Sequence, residues 1–196
     1  MKKIEIIWRE LLYQAMERGQ RQFTQKDVAG KFSFSTSTVF QALKAPRKMG
    51  AVRVTGRFFI LEDPEKLLYH WASVRNHGKD IVLSGRVELP VLEIEGRMPP
   101  DVVFGGFTAA RHYLKEAPSD YDKVYVYSVS REKIRERFEL QKGRENVIVL
   151  RADRFLVTYG PITTIAQTFV DLWNLPEWYA KEYVKSLKEK IDGLLP

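Results

Sequence analysis

The chain is 196 residues long, 44% hydrophobic and 29% charged, with no cysteine; this composition supports real cores and excludes disorder, a disulfide framework, thiolate catalysis and a zinc finger. Its net charge of +7 is uneven: residues 1–78 hold 14 Lys and Arg against 7 Asp and Glu, whereas residues 79–196 hold 18 against 18. No apolar run reaches the length of a membrane span, and Glu5, Arg9 and Glu10 interrupt the N-terminus too early for a signal peptide, so a soluble, cytoplasmic protein with no membrane partner is expected.

Ile4, Ile7, Trp8, Leu11, Leu12 and Ala15 recur at helical spacing and predict an amphipathic helix over residues 3–18, ended by Gly19. Thr24, with Phe23 before it and Asp27 three residues on, caps a short second helix that buries Val28 and Phe32. After a tight turn at Ser33 and Phe34, Ser35 caps a third helix with Val39, Ala42 and Leu43 inward. Pro46 is expected to kink or end it. Residues 51–54 and 57–61 are β-prone runs around Thr55-Gly56 and predict a hairpin. Asp63 and Pro64 open a fourth helix with the stripe Leu67, Leu68, Trp71 and Ala72, and Asn76-His77-Gly78 marks the domain boundary.

The remainder alternates strands and helices. Strands are predicted at residues 81–83, 91–94, 123–129 and 147–150, with a further one at 155–158. Helices are predicted at about 108–115, 131–139 and 162–173. Pro176 opens a last amphipathic helix whose apolar side is Trp178, Tyr179, Tyr183, Val184 and Leu187. The fold class expected is therefore α+β: an N-terminal winged helix-turn-helix over residues 1–78, then a compact C-terminal α/β domain over 79–196.

A helix-turn-helix lays its second helix in the major groove of DNA. Ser35, Thr36, Ser37 and Thr38 at the start of the third helix offer hydroxyls and free N–H groups to phosphate. Gln41, Lys44 and Ser37 share the outward face, where Gln suits adenine and Lys suits guanine or phosphate, and Arg47 adds a cation. Arg53 and Arg57 flank the hairpin turn, placed for backbone or minor groove. The plainer account makes the hydroxyls caps and the cations a solvated face, or the whole head a protein-docking module; the concentrated charge favours DNA. Phe40 is anomalous on such a helix: it touches a thymine methyl or, more commonly, packs under the wing or at a dimer contact.

Val103-Phe104-Gly105-Gly106-Phe107-Thr108-Ala109-Ala110-Arg111 resembles the start of the effector domain in the AbiEi family, the antitoxins and transcriptional repressors of type IV toxin–antitoxin systems. The domain order resembles that family too, as do residues 147–155 (VIVLRADRF) and 164–173 (TIAQTFVDLW). The resemblance implies a head that represses its own operon at inverted repeats, hence a homodimer on operator DNA. It implies a tail that neutralises a cognate nucleotidyltransferase toxin, with no catalysis, cofactor or metal. Arg154, Trp178 and Lys181 are the residues expected on the toxin-opposing surface.

The same residues admit a rival. Gly105-Gly106 before a helix, then Asp120 and Asp122 entering a strand, resemble a minimal nucleotidyltransferase signature: a phosphate-binding loop and two carboxylates for Mg²⁺. The third carboxylate is missing from Val147–Leu150, with Asp153 just beyond. The plain alternative is a tight strand-to-helix turn at the glycines and a polar loop at 118–122. His70, His77 and His112 have no metal-ligand spacing, and there is no Walker loop, dinucleotide fingerprint or GxSxG.

Overall fold

The computed structural model describes residues 1–195 as an α+β chain that divides into two compact units. One is Met1–Arg75 together with the last residues from Ile191; the other is Asn76–Lys190. The C-terminal residues thus group with the first unit, whereas the sequence boundary left them all in the second.

The first unit begins with α1 (Lys3–Glu17), closed at Gly19 with φ +70. A two-residue strand β1 (Gln22–Phe23) leads to α2 (Gln25–Phe32). Thr24 caps α2 by accepting from the Asp27 N–H at 3.1 Å, while its own hydroxyl donates to the Asp27 carboxylate at 2.7 Å. Ser33, at φ 53, turns the chain into α3 (Thr36–Lys48), where Ser35 Oγ accepts from the Thr38 N–H at 3.2 Å. Strands β2 (Val52–Val54) and β3 (Phe59–Leu61) form the expected hairpin, with Val52 opposite Leu61 and Val54 opposite Phe59. Then α4 (Pro64–Val74) starts with the Lys66 N–H donating to Asp63 at 2.9 Å.

Two features depart from expectation. The sheet has three strands in the order β1-β3-β2, because Gln22 and Phe23 pair antiparallel with Ile60 and Phe59. Two residues are too few to show a strand period, so only the partner reveals them. And Pro46 neither ends nor breaks α3, which runs two residues past it. Proline has no N–H to give the carbonyl four residues back. Here that carbonyl, Ala42 O, accepts from the Trp8 indole N–H at 2.7 Å in the buried core. The partner lost to proline is replaced from α1.

The core of this unit is Ile7, Leu11, Leu12, Phe32, Val39, Leu43, Phe59, Leu61, Leu67, Leu68 and Trp71, each at most 1% exposed. The charged residues that interrupt α1 are buried as well. Glu5 receives the Trp71 indole N–H and Arg75, both at 3.3 Å, and so ties α4 to α1. Glu10 pairs with Lys31 at 2.5 Å. His70 is half-buried, edge-on to Trp8 at 5.1 Å.

The second unit is a four-stranded sheet in the order β4-β7-β6-β5, formed by β4 (Ile81–Gly85), β5 (Val103–Phe104), β6 (Val124–Ser128) and β7 (Val147–Arg151). Only β6 and β7 are parallel, with α7 (Glu132–Arg137) in the crossover. Every residue of β6 is buried, as a strand covered on both faces requires. Val124 and Val126 join Val147, Val149, Ile94, Ile134 and Phe138 in one cluster. Tyr125 and Tyr127, in the alternate positions, meet α6 (Gly106–Leu114), α8 (Ile165–Trp173) and the residues before α9 (Ala180–Asp192).

Here too some expectations fail. Residues 91–94 form no strand but α5 (Val91–Gly96). Pro90 sets its entry and Glu93 pairs with Arg97 one turn on, while only Ile94 is buried, which is no strand pattern. Residues 155–158 are not a strand either; a 3-10 turn spans Leu156–Tyr159, where Asp153 accepts from the Phe155 N–H at 3.1 Å and Thr158 donates to the Phe155 carbonyl at 2.7 Å. Trp178 is 76% exposed rather than part of an apolar side. It precedes α9, so the phase that buries Tyr183 and Leu187 does not govern it.

Candidate nucleic-acid interface

The outward face of α3 gathers most of the residues singled out in the sequence. Inward positions are filled by Val39, Ala42, Leu43 and Pro46, all buried. Helical spacing then leaves Thr36, Ser37, Phe40, Gln41, Lys44, Arg47 and Lys48 exposed along one side. The segment holds three cations and no acid. Arg47 and Lys48 lie in the last turn, where the dipole favours positive charge.

Ser35 and Thr38 are engaged with each other. Their hydroxyls lie 2.9 Å apart, and Ser35 also holds the first turn as its cap. Their primary task is the helix start, whereas Thr36 and Ser37 present exposed hydroxyls at the first turn.

The hairpin brings Arg57 to the same side as the start of α3. Thr55 closes the turn, its N–H and hydroxyl both donating to the Phe58 carbonyl at 2.8 and 2.7 Å. Arg57 is exposed in that turn and lines a groove of about 320 Å³ with Thr24, Gln25, Lys26, Thr36, Val54 and Gly56. The groove joins the first residues of α2, the first residue of α3 and the hairpin turn, a neighbourhood of helix-start N–H groups and two cations. Lys26 was not anticipated. The Thr24 cap in the sequence was the available signal, since it places Lys26 in the first turn of α2.

Arg53 stands apart. Its guanidinium donates to Glu62 across the sheet at 2.5 Å, and both side chains are exposed. Its charge is thereby partly offset by Glu62, while the rest of the guanidinium stays exposed.

In the second unit Gly105 and Gly106 have a packing role. A Cβ on Gly105 would lie 3.1 Å from the Tyr127 ring, and one on Gly106 3.0 Å from the Tyr125 ring, where φ is +52. The two tyrosines of β6 press on the start of α6, so a Cβ at either position would crowd their rings, and at Gly106 the positive φ adds strain. Asp122 is exposed, paired with Arg144 at 3.2 Å and hydrogen-bonded by the Tyr179 hydroxyl; Asp120 is exposed in the preceding loop. Among the described residues no three His, Cys, Asp or Glu side chains cluster as a metal site.

This unit is rich in tyrosine–carboxylate bonds instead. Tyr121, Thr108 and Arg111 all reach Glu95, at 2.7, 2.6 and 2.6 Å. Tyr125 and Lys123 reach Glu177, and Tyr127 reaches the buried Asp171 at 2.6 Å. Burial, reinforced by the neighbouring carboxylates, pushes the Tyr121, Tyr125 and Tyr179 hydroxyls well above the usual range. Burial also pushes Tyr183 up to about 12. Of the residues expected on a partner-facing surface, Arg154, Trp178 and Lys181 are all exposed, Arg154 lying over the Phe155 ring at 4.6 Å.

Comparison with models of protein families, with curated proteins and with solved structures finds no match. Among the described residues no helix is long and apolar enough to cross a membrane.

Proposed function

We propose that the chain is a DNA-binding transcriptional regulator in which Met1–Arg75 forms a winged helix-turn-helix. In this reading α3 enters the major groove and the β2–β3 hairpin is the wing. The observation that carries it is the acid-free outer face of α3, where Ser37, Gln41, Lys44, Arg47 and Lys48 are exposed together. The order helix, strand, two helices and hairpin, with the surplus charge confined to this part of the chain, supports it as well. Gln41 reads a base edge; Thr36, Ser37, Lys26 and Arg57 hold phosphates; Lys44 and Arg47 contact guanine or backbone. Operator DNA with inverted repeats is bound as a homodimer, and the second unit opposes a cognate nucleotidyltransferase toxin, as the AbiEi resemblance implies.

The test is fluorescence anisotropy of the full chain on duplex DNA over a salt series. Affinity should fall steeply with salt, since each phosphate contact releases counterions. Reversing charge at Lys44 and Arg47 should abolish binding, whereas reversing Lys181 and Lys185 should leave it unchanged. Equal effects of the two pairs, or a flat salt response, would sink the proposal. For the second unit, if a nucleotidyltransferase toxin is encoded beside this chain, coexpression of the chain should relieve its toxicity, and the Lys44/Arg47 reversal should still do so.

A further inference from the structure

Among the large apolar side chains of Met1–Arg75, Phe40 and Val74 are left exposed, at 41% and 43%. Val74 is the last residue of α4, at a helix end. Phe40 instead sits in the middle of α3, between Ser37, Gln41 and Lys44, on the face that carries only polar and basic side chains otherwise. Its neighbours Val39, Ala42 and Leu43 fill the core, so Phe40 is not needed there. At 41% exposure it is not buried beneath the hairpin. Lys44 lies over its ring, with Nζ 5.5 Å from the centroid, and keeps the aromatic at the surface beside a cation.

We propose that Phe40 is a specificity residue that reads the 5-methyl group of a thymine in the major groove. This rests on the DNA-binding reading of α3. The thymine methyl is the one apolar group that the major-groove edges of the bases display. An exposed phenyl ring amid cations fits that edge: the cations hold the phosphates, and the ring finds the methyl. Gln41, the next residue on the same face, is placed for adenine on an adjoining base pair, so Phe40 and Gln41 together select an A·T step. The surface commits to DNA because Lys44, Arg47 and Lys48 surround it without a balancing acid on the helix.

The experiment starts with selection of duplexes from a randomised pool by the full chain. The winning duplex is then synthesised with thymine or with uracil, which pairs identically but lacks the methyl. Removing one buried methyl should weaken wild-type binding about fourfold. Phe40→Ala, a change at an exposed position, should bind the two duplexes equally and retain the wild-type melting temperature. A wild-type protein indifferent to uracil at every position overturns the inference while leaving DNA binding intact. A Phe40→Ala variant that loses self-association but keeps the thymine preference overturns it also, making Phe40 a contact between copies of the chain. If no duplex is enriched, the DNA reading fails and the inference falls with it.

Discussion

Trp8 and Pro46 illustrate how single residues in this chain are tied across long separations. The proline leaves Ala42 O without its helical donor, and the indole of a residue 34 positions earlier supplies one. Trp8→Phe should cost about 1–3 kcal/mol, the penalty of stranding a buried carbonyl, beyond the loss of packing. In a Pro46→Ala background the backbone N–H that the substitution restores can bond Ala42 O, so the same change should cost less. Urea unfolding of the four proteins in a double-mutant cycle measures the difference. Additive effects would show that the indole bond is not what keeps α3 continuous past Pro46. Neither partner was visible as such in the sequence, where Pro46 reads as a stop.

At the scale of elements, the start of α6 depends on β6. Gly106→Ala would place a Cβ 3.0 Å from the Tyr125 ring at a φ of +52, combining steric crowding with backbone strain. We expect a loss of about 2–4 kcal/mol from this substitution by chemical denaturation. Gly105→Ala should cost less, because its φ of −121 suits any residue. Equal losses would mean that crowding alone matters. The tyrosines bring a second expectation. Their hydroxyl pKa values are raised by burial and carboxylate neighbours, so above pH 10 the unfolded chain releases protons that the folded chain retains. Stability is therefore full below about pH 10 and falls as pH rises toward the folded values. The urea midpoint should drop steadily between about pH 10 and 12, and ionisation of Tyr121, Tyr125, Tyr179 and Tyr183 should accompany unfolding rather than precede it. Tyr125→Phe should make that fall shallower.

On the scale of the whole molecule, charge and architecture divide the chain in the same sense. The excess of basic residues lies in residues 1–78, and the division into compact units falls between Arg75 and Asn76, with the residues from Ile191 grouped with the first. Salt dependence of DNA binding should therefore follow substitutions in the first unit alone. Arg53 is the informative exception. Because Glu62 holds it at 2.5 Å, Arg53→Ala should weaken DNA binding less than Arg57→Ala in the same anisotropy assay. An equal loss would show that Arg53 exchanges Glu62 for phosphate at no net cost.

Local chemistry determined much of this protein. The caps at Thr24, Ser35 and Asp63, the left-handed ends at Gly19 and Ser33, and the alternation of β6 act within a few residues. The helix starts and the central strand were legible for that reason, and so was the outward face of α3, which follows from helical period once the core residues are known. Tertiary structure decided what depends on partners far along the chain. A two-residue β1 exists because β3 lies beside it, and residues 91–94 form a helix because Ile94 enters the core with Val91, three residues earlier, packed against it. Gly105 and Gly106 answer to tyrosines about twenty residues later. Phe40 stays at the surface because its neighbours have already filled the space beneath it. A sequence states the propensity of each segment, but packing assigns its partners, and burial is a property of the partners.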